Sequence, residues 1–383
     1  MTPFTLHIDD AQITALRERL AATRWPTDAD GIGWDHGTPV EYARDLAEHW
    51  RTAFDWRAQE SRINAVPQFT SPVDGHDVHF FHVRSPHAEA TPLLLVHGWP
   101  GSPTEFLPMI DALVDPTGHG GAPADAFDVV IPTIPGFGIS GTARGWHPDR
   151  AASALVHLMA ALGYDRYVVH GYDTGASIAR TMGLRDAQHV LGVHVTSLFG
   201  DELTYENADM SDPAERRALE AMQRYEYELG GYALVQATRP QSLALPLTDS
   251  PVGLMTWLVE RFKDWSACTD SPEEVFSRDE MLTIVSLYWF FGTIGSSMRY
   301  YREGSGTWGT APEPSGTSTA VCLLPHDLGV TVRRMVEPYN HLVRWTELPA
   351  GGHFAAWEQP GLLVDDLRGS LATFREKARS ATV

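Results

Sequence analysis

Between Tyr167 and Ser177 the chain reads Y-V-V-H-G-Y-D-T-G-A-S. A β-branched run ends at Gly171, Asp173 follows two residues on, and Gly175 two after that. From Ala176 the apolar residues Ile178, Ala179 and Met182 recur at helical spacing. Glycines on both sides of a central residue mark a sharp strand-to-helix turn, usually written G-x-S-x-G, that lifts the central side chain above a sheet. Small flanking residues let the backbone adopt that strained bend. Here the raised residue is an aspartate. A carboxylate in that place can attack an sp3 carbon and be released again as an ester, whereas a serine serves acyl transfer. The plain alternative is an aspartate capping the following helix.

A chain of 383 residues has room for one large α/β domain with an inserted subdomain. Its formal net charge of −20 disfavours nucleic acid or an anionic membrane as a partner. The cysteines are Cys268 and Cys322 alone, which gives neither a disulfide framework nor a zinc pattern and suits a reducing compartment. The opening M-T-P-F-T-L-H-I-D-D lacks the basic and apolar regions of a signal peptide, and no apolar run approaches the roughly 20 residues of a membrane span. A cytoplasmic protein is expected.

Residues 1–75 read as a helical and irregular meander rather than as sheet. Ile13, Leu16 and Leu20 share one face of a first helix ending before Trp25-Pro26, and a second helix spans about 40–54. From Asp77 the texture alternates. Strands are expected at 77–84, 92–96, 127–134, 167–171 and 190–198, with helices at 103–114, at 147–162 and after the aspartate turn. That alternation predicts a doubly wound, mostly parallel sheet flanked by helices over 76–200. It breaks over 201–315, an aromatic helical stretch read as an inserted cap that closes in a loop over 306–317. Strand texture resumes at 319–324 and 342–348, and a last helix over 361–377 completes a second sheet segment, 316–383. A cap so placed lies over the carboxyl ends of the strands, where open α/β sheets bind ligands.

Three further stretches fall where an aspartate turn would need them. H-G-W-P-G, His97 to Gly101, follows a buried strand and can aim a backbone N–H at an oxyanion; the second donor of the template is the residue after the nucleophile, Thr174. In G-G-H-F-A-A-W-E-Q-P, Gly351 to Pro360, His353 is placed as a general base. In L-L-P-H-D-L, Leu323 to Leu328, Asp327 is the leading acid to orient it, with Glu337 and the pair Asp201-Glu202 as rivals. Together these groups would form an alkyl ester on Asp173 and hydrolyse it with a water activated by His353. A halide leaving group needs only weak donors, an epoxide oxygen needs a proton, and the cap is rich in tyrosines able to give one.

As a set, T-R-W-P, H-G-W-P-G-S, P-G-F-G, the G-x-D-x-G turn, Q-A-T-R-P-Q-S-L, L-T-D-S-P-V-G-L, Y-Y-R-E and G-G-H-F-A-A-W-E-Q-P closely resemble the α/β-hydrolase-fold epoxide hydrolases of the microsomal (juvenile-hormone) type. The resemblance covers most of the chain. It implies nucleophile Asp173, base His353 and acid Asp327. It also implies two ring-opening tyrosines at Tyr232 and Tyr301, with Tyr300 as the near rival of the latter. No cofactor or metal is implied; the expected partners are a small-molecule epoxide and water, with a homodimer the one assembly considered. The sequence lacks the membrane anchor of the animal members, so a soluble bacterial-type enzyme is expected, akin to those acting on natural-product epoxides such as enediyne intermediates. One departure stands out: the turn reads Y-D-T-G where the family usually has G-D-W-G, so Tyr172 and Thr174 replace a glycine and a tryptophan. Thr174 also argues against a haloalkane dehalogenase, which holds halide with a tryptophan after the nucleophile. No G-x-S-x-G occurs to support a serine esterase. A ligand-binding member without chemistry would be expected to have lost one of these side chains.

Overall fold

Val168 and Val169, paired with Leu93 and Leu94 on one side and Gly192 and Val193 on the other, sit at the middle of the sheet. The structure, a computed structural model, describes residues 1–27, 31–307 and 311–380. Nine strands among them form one sheet: β1 (Thr2–Phe4), β2 (Gln68–Val73), β3 (His76–Val83), β4 (Thr91–Val96), β5 (Phe127–Pro132), β6 (Tyr167–Gly171), β7 (Val190–Val195), β8 (Ser315–Leu323) and β9 (Asn340–Glu347). Their spatial order is β1-β2-β3-β5-β4-β6-β7-β8-β9. Pairing is antiparallel from β1 through β3 to β5 and parallel from β5 to β9. The central parallel strands β4 and β5 carry continuous apolar runs, as strands covered on both faces do; Leu93 to Val96 and Val129 to Ile131 are fully buried.

The first segment corrects one expectation. Read as helical and irregular, it contributes β1 and β2 to the sheet. β1 is three residues long, too short to show a period. β2 carries Pro72, which argues against a strand inside a sheet. β1, however, pairs only with Gln68 to Thr70, so Pro72 lies past its end and its missing N–H forfeits no bond there. A short helix, Trp56–Asn64, capped by the Asp55 side chain on the Ala58 N–H, also went unread. The loop expected over 306–317 is shorter, since β8 begins at Ser315; residues 308–310 of it lie outside the described residues.

Between β7 and β8 the described elements are helical. The N-terminal helices Asp10–Ala21 and Val40–Thr52 strap this cap: Trp50 Nε1 donates to Ser286 Oγ at 3.1 Å, His49 meets Asp279 at 2.7 Å, and Arg19 meets Asp249 at 3.0 Å. From below, the P-G-F-G turn after β5 holds the cap helix Ile294–Gly304, because Ser296 Oγ donates to the Gly136 carbonyl and Tyr300 Oη to that of Pro135, at 2.5 and 2.9 Å. No single described helix is long and apolar enough to cross a membrane. Arg278–Phe291 and Ile294–Gly304 together have the length and composition, but they meet at 88° and bury their faces within the cap.

Candidate active site

The parallel register brings the carboxyl ends of the strands level: Val96 lies beside Gly171, and Gly171 beside Val195. Immediately beyond β6, Asp173 has φ +52° and ψ −130°, a strained conformation for a residue with a side chain. The turn closes this tightly only because its neighbours are glycines. A Cβ on Gly171 would stand 2.1 Å from the Gly175 carbonyl oxygen, and one on Gly175 would stand 2.1 Å from that of Val96. Gly98 is equally constrained, since a Cβ there would meet that of Asp173 at 2.4 Å.

The raised carboxylate has two settings. Its Oδ1 accepts the Trp99 backbone N–H at 2.8 Å. Its Oδ2 faces His353 Nε2 at 3.7 Å, too long for a hydrogen bond, and that nitrogen is buried without a partner. The opposite ring nitrogen, Nδ1, lies 2.7 Å from Asp327 Oδ1. Burial pushes the imidazole down, but the carboxylates of Asp327 and Asp173 outweigh it and raise the histidine to about 9. Asp327 therefore meets His353, and its rivals do not: Glu337 pairs with Arg333 on the surface, and Asp201 accepts the Tyr339 hydroxyl. Thr174 opens the helix Thr174–Arg185, so its amide is among the first N–H groups without an intrahelical acceptor.

The histidine loop is pinned from below by one side chain. Glu358 accepts the N–H groups of Gly352, Phe354 and Ala267 at 2.9, 3.0 and 2.9 Å. The His353 N–H itself donates to the Trp265 carbonyl at 2.8 Å, joining the loop to the end of a cap helix. A parallel bridge between His326 and Gly352 fastens the acid loop alongside. His97, kept neutral at about 4 by burial, accepts the Ile134 N–H at 3.1 Å and so links the Trp99 turn to P-G-F-G.

Above the carboxylate the cap closes with aromatic rings. Trp99 stacks on Tyr232 with centroids 5.3 Å apart and planes 5° from parallel, and Tyr301 stands edge-on to both at 5.8 Å. The hydroxyls of Tyr232 and Tyr301 are hydrogen-bonded, and burial holds both phenols well above their usual range. Tyr300 turns away, its hydroxyl on Pro135. Trp265 completes the group beside Tyr232 and His353, at 5.0 and 5.1 Å. Sequence reading missed Trp265, Tyr225 and Arg261, because nothing local separates them from other cap residues. It also passed over Glu105, although Ser102-x-x-Glu105 is a capping box that the structure confirms.

Two other features stand apart. A cleft of about 650 Å³ lies between the first helix and the cap helix Pro251–Trp265, lined by Arg19, Trp25, His36, Trp257 and Glu260 and by none of the triad. His194, Cys322 and Asp366 bring one potential metal ligand each to within 4.8 Å of one another. Both Asp366 oxygens are already taken, by His194 Nε2 at 2.9 Å and by the Arg344 guanidinium at 2.7 Å, so the cation at this cluster is an arginine.

A carboxylate raised on a glycine-flanked bend, a histidine–aspartate pair and a helical cap over a mostly parallel sheet define a hydrolase of the α/β-hydrolase fold. Comparison with known proteins agrees. Residues 1–106 match the family described as epoxide hydrolase N terminus, and residues 91–243 match the alpha/beta hydrolase fold. The chain is 40% identical to a Stigmatella aurantiaca protein provisionally designated an epoxide hydrolase, over 98% of this chain and 86% of that one. With epoxide hydrolase 1 of Sus scrofa it shares 31% identity over 96% and 87% of the two chains. The crystal structure of juvenile hormone epoxide hydrolase from the silkworm Bombyx mori superposes with a TM-score of 0.89 at 26% identity, covering 98% of this chain and 95% of that one. The chain belongs to the epoxide hydrolase family.

Proposed function

We propose that the protein opens an apolar or aryl epoxide through an ester on Asp173. Asp173 Oδ2 attacks a ring carbon, the carbon–oxygen bond breaks, and the oxygen takes a proton from the Tyr232–Tyr301 pair. The observation that carries this reading is the division of labour at Asp173: one oxygen is tied to the Trp99 amide, and the other is free beside a histidine already bonded to Asp327. Once Asp173 is an ester its negative charge is gone, and one influence raising His353 goes with it. The imidazole then gives up its proton to solvent, which returns it once the Asp173 carboxylate is restored, and the neutral ring can take one from water. Attack on the ester carbonyl develops an oxyanion that accepts from the Trp99 amide N–H and from that of Thr174. Collapse releases the diol, whose alkoxide is protonated by His353, while the carboxylic acid returns a proton to the phenolate. The aromatic walls formed by Trp99, Tyr232, Trp265 and Tyr301 support an apolar or aryl substrate. The acidic surface supports a free small molecule rather than nucleic acid.

The test is a single turnover of styrene oxide in ¹⁸O-water with enzyme in excess. The first diol should carry no solvent oxygen and the label should appear in Asp173. A diol labelled on the first cycle means that water attacked directly, and the ester mechanism fails.

A further inference from the structure

Arg261 is buried in the cap helix Pro251–Trp265, 3% exposed. Its guanidinium lies over three aromatic faces, 5.1 Å from the ring centre of Tyr232, 5.4 Å from that of Trp257 and 5.9 Å from that of Trp265. Its Nε is buried with no hydrogen-bond partner. The charge is balanced by Glu260, which accepts from its Nη2, and by Asp264 at 3.8 Å. Both of those carboxylates are partly open to solvent, at 27% and 22%, so water screens them. The face toward Tyr232 is dry, and there a fixed cation acts at low dielectric. A guanidinium is an expensive thing to bury beside neutral rings merely as filler.

Ring opening puts a charge where this cation looks. The phenol that protonates the epoxide oxygen becomes a phenolate, and burial opposes that charge at both tyrosines. Beside the rings of Trp99 and Trp265, the titratable groups around Tyr232 are Tyr225, whose hydroxyl is 3.5 Å away, Tyr301, Asp173 and Arg261. Of these only Arg261 is cationic. We propose that Arg261 is a positioning residue for ring opening: its guanidinium, seated on the face of Tyr232, stabilises the phenolate left when the Tyr232–Tyr301 pair gives its proton to the epoxide oxygen. This rests on the ester mechanism above and adds to it the group that makes the acid strong enough.

The inference assigns Arg261 to the first step and not to the second. Wild type, Arg261→Lys and Arg261→Met are mixed rapidly with styrene oxide, enzyme in excess, quenched in acid, and followed by intact mass for growth and decay of the ester. Arg261→Met should slow ester growth by about 100-fold, a proportion typical of losing effective general-acid help. Arg261→Lys should stay within about 5-fold, because it keeps the charge but not the flat stacking. Ester decay should change by less than about 3-fold in either. Growth and decay falling together, or an Arg261→Met variant that grows ester at the wild-type rate, overturns the inference. Should that variant fail to fold, Glu260→Gln serves, since it leaves the guanidinium in place and removes its counter-charge. Ester growth should then rise by about 3-fold or more, and no rise overturns the inference. A wild type that forms no ester with any epoxide sinks the ester mechanism itself; an Arg261 result at odds with wild-type ester sinks only the role of Arg261.

Discussion

The Tyr172 hydroxyl bonds to the Glu105 carboxylate one residue behind the nucleophile. Both side chains are buried, and the Tyr172 ring also stands edge-on to His353 at 5.7 Å. The position that departs from the family's usual glycine thus carries a second carboxyl into the site's foundation. Space for it exists because the neighbouring residue is Gly101, where a Cβ would meet the Tyr172 hydroxyl at 2.6 Å. Tyr288 braces the same turn through its bond to the Gly101 carbonyl at 3.0 Å.

Burial is the main reason that Glu105 is pushed up to about 7, against the pull of Tyr172 and of the Ser102 N–H, donated at 2.8 Å. A carboxyl raised on folding favours the folded state at low pH and loses that contribution as pH rises through its folded value. Glu105→Gln, which cannot titrate, should therefore gain on wild type between pH 5 and pH 8, by about 2–3 kcal/mol. Urea denaturation at the two pH values measures the change, and a constant gap between the proteins would show that Glu105 titrates as it does when unfolded.

His353 gives the opposite limb for catalysis. Protonated in the resting enzyme, it must be neutral to activate water, and its value of about 9 includes contributions from both Asp327 and Asp173. Ester decay should accelerate with pH and level off below pH 9, because the ester has removed the charge on Asp173. Asp327→Asn should move that limb further down and lower the plateau by about 10³–10⁴-fold, the size of effect seen when a histidine loses its orienting acid. Rapid-quench rates of ester decay from pH 5 to pH 10 decide it; a limb unmoved in the variant removes Asp327 from this role.

The adjacent tyrosines of Y-Y-R-E should separate cleanly. Tyr300 Oη donates to the Pro135 carbonyl, so Tyr300→Phe leaves a buried acceptor short and should lower stability by about 1 kcal/mol. Ester growth should stay near wild type. Tyr301→Phe removes a hydroxyl paired with Tyr232 and should slow ester growth by about 10-fold or more, one phenol remaining. Equal effects from the two variants would mean that the orientation of this helix is not what sets the acid.

What the sequence made legible follows from where the physics is local. The turn at Asp173 announces itself because both of its glycines stand in one short stretch of sequence, Gly171 held by contact with Gly175 four residues on and Gly175 by the end of β4 at Val96, and β6 was read to its last residue. Asp327 and His353 were placed by chain order, each just beyond a strand. Choosing between Tyr300 and Tyr301 required the facing of a helix fixed by a distant turn, Gly136 and Pro135, and no periodicity within Y-Y-R-E carries that. Arg261 is harder still. Among surface-like neighbours in V-E-R-F-K-D-W it reads as an exposed cation, and only the convergence of Tyr232, Trp257 and Trp265 buries it. β1 and β2 were lost because a three-residue strand has no period and Pro72 speaks against its own strand.

Glu358 shows how a legible motif can hide its function. It belongs to G-G-H-F-A-A-W-E-Q-P, yet its work is to collect three backbone N–H groups, those of Gly352, Phe354 and Ala267, around the histidine loop. A carboxylate offers lone pairs on both oxygens. Glutamine offers them on one, and its amide N–H₂ must then face at least one N–H donor. Glu358→Gln should lower stability by about 2–3 kcal/mol, the worth of hydrogen bonds to a charged acceptor. The loss should also reach chemistry unevenly. Ester growth needs Asp173 and the tyrosines, which the loop does not carry, so it should hold. Ester decay needs His353 Nε2 aimed at the ester carbonyl, so it should slow by about 10-fold or more when the loop loosens. Thermal unfolding with rapid-quench kinetics reads both effects, and a variant that slows the two steps alike would show that Glu358 steadies the whole site instead of the histidine.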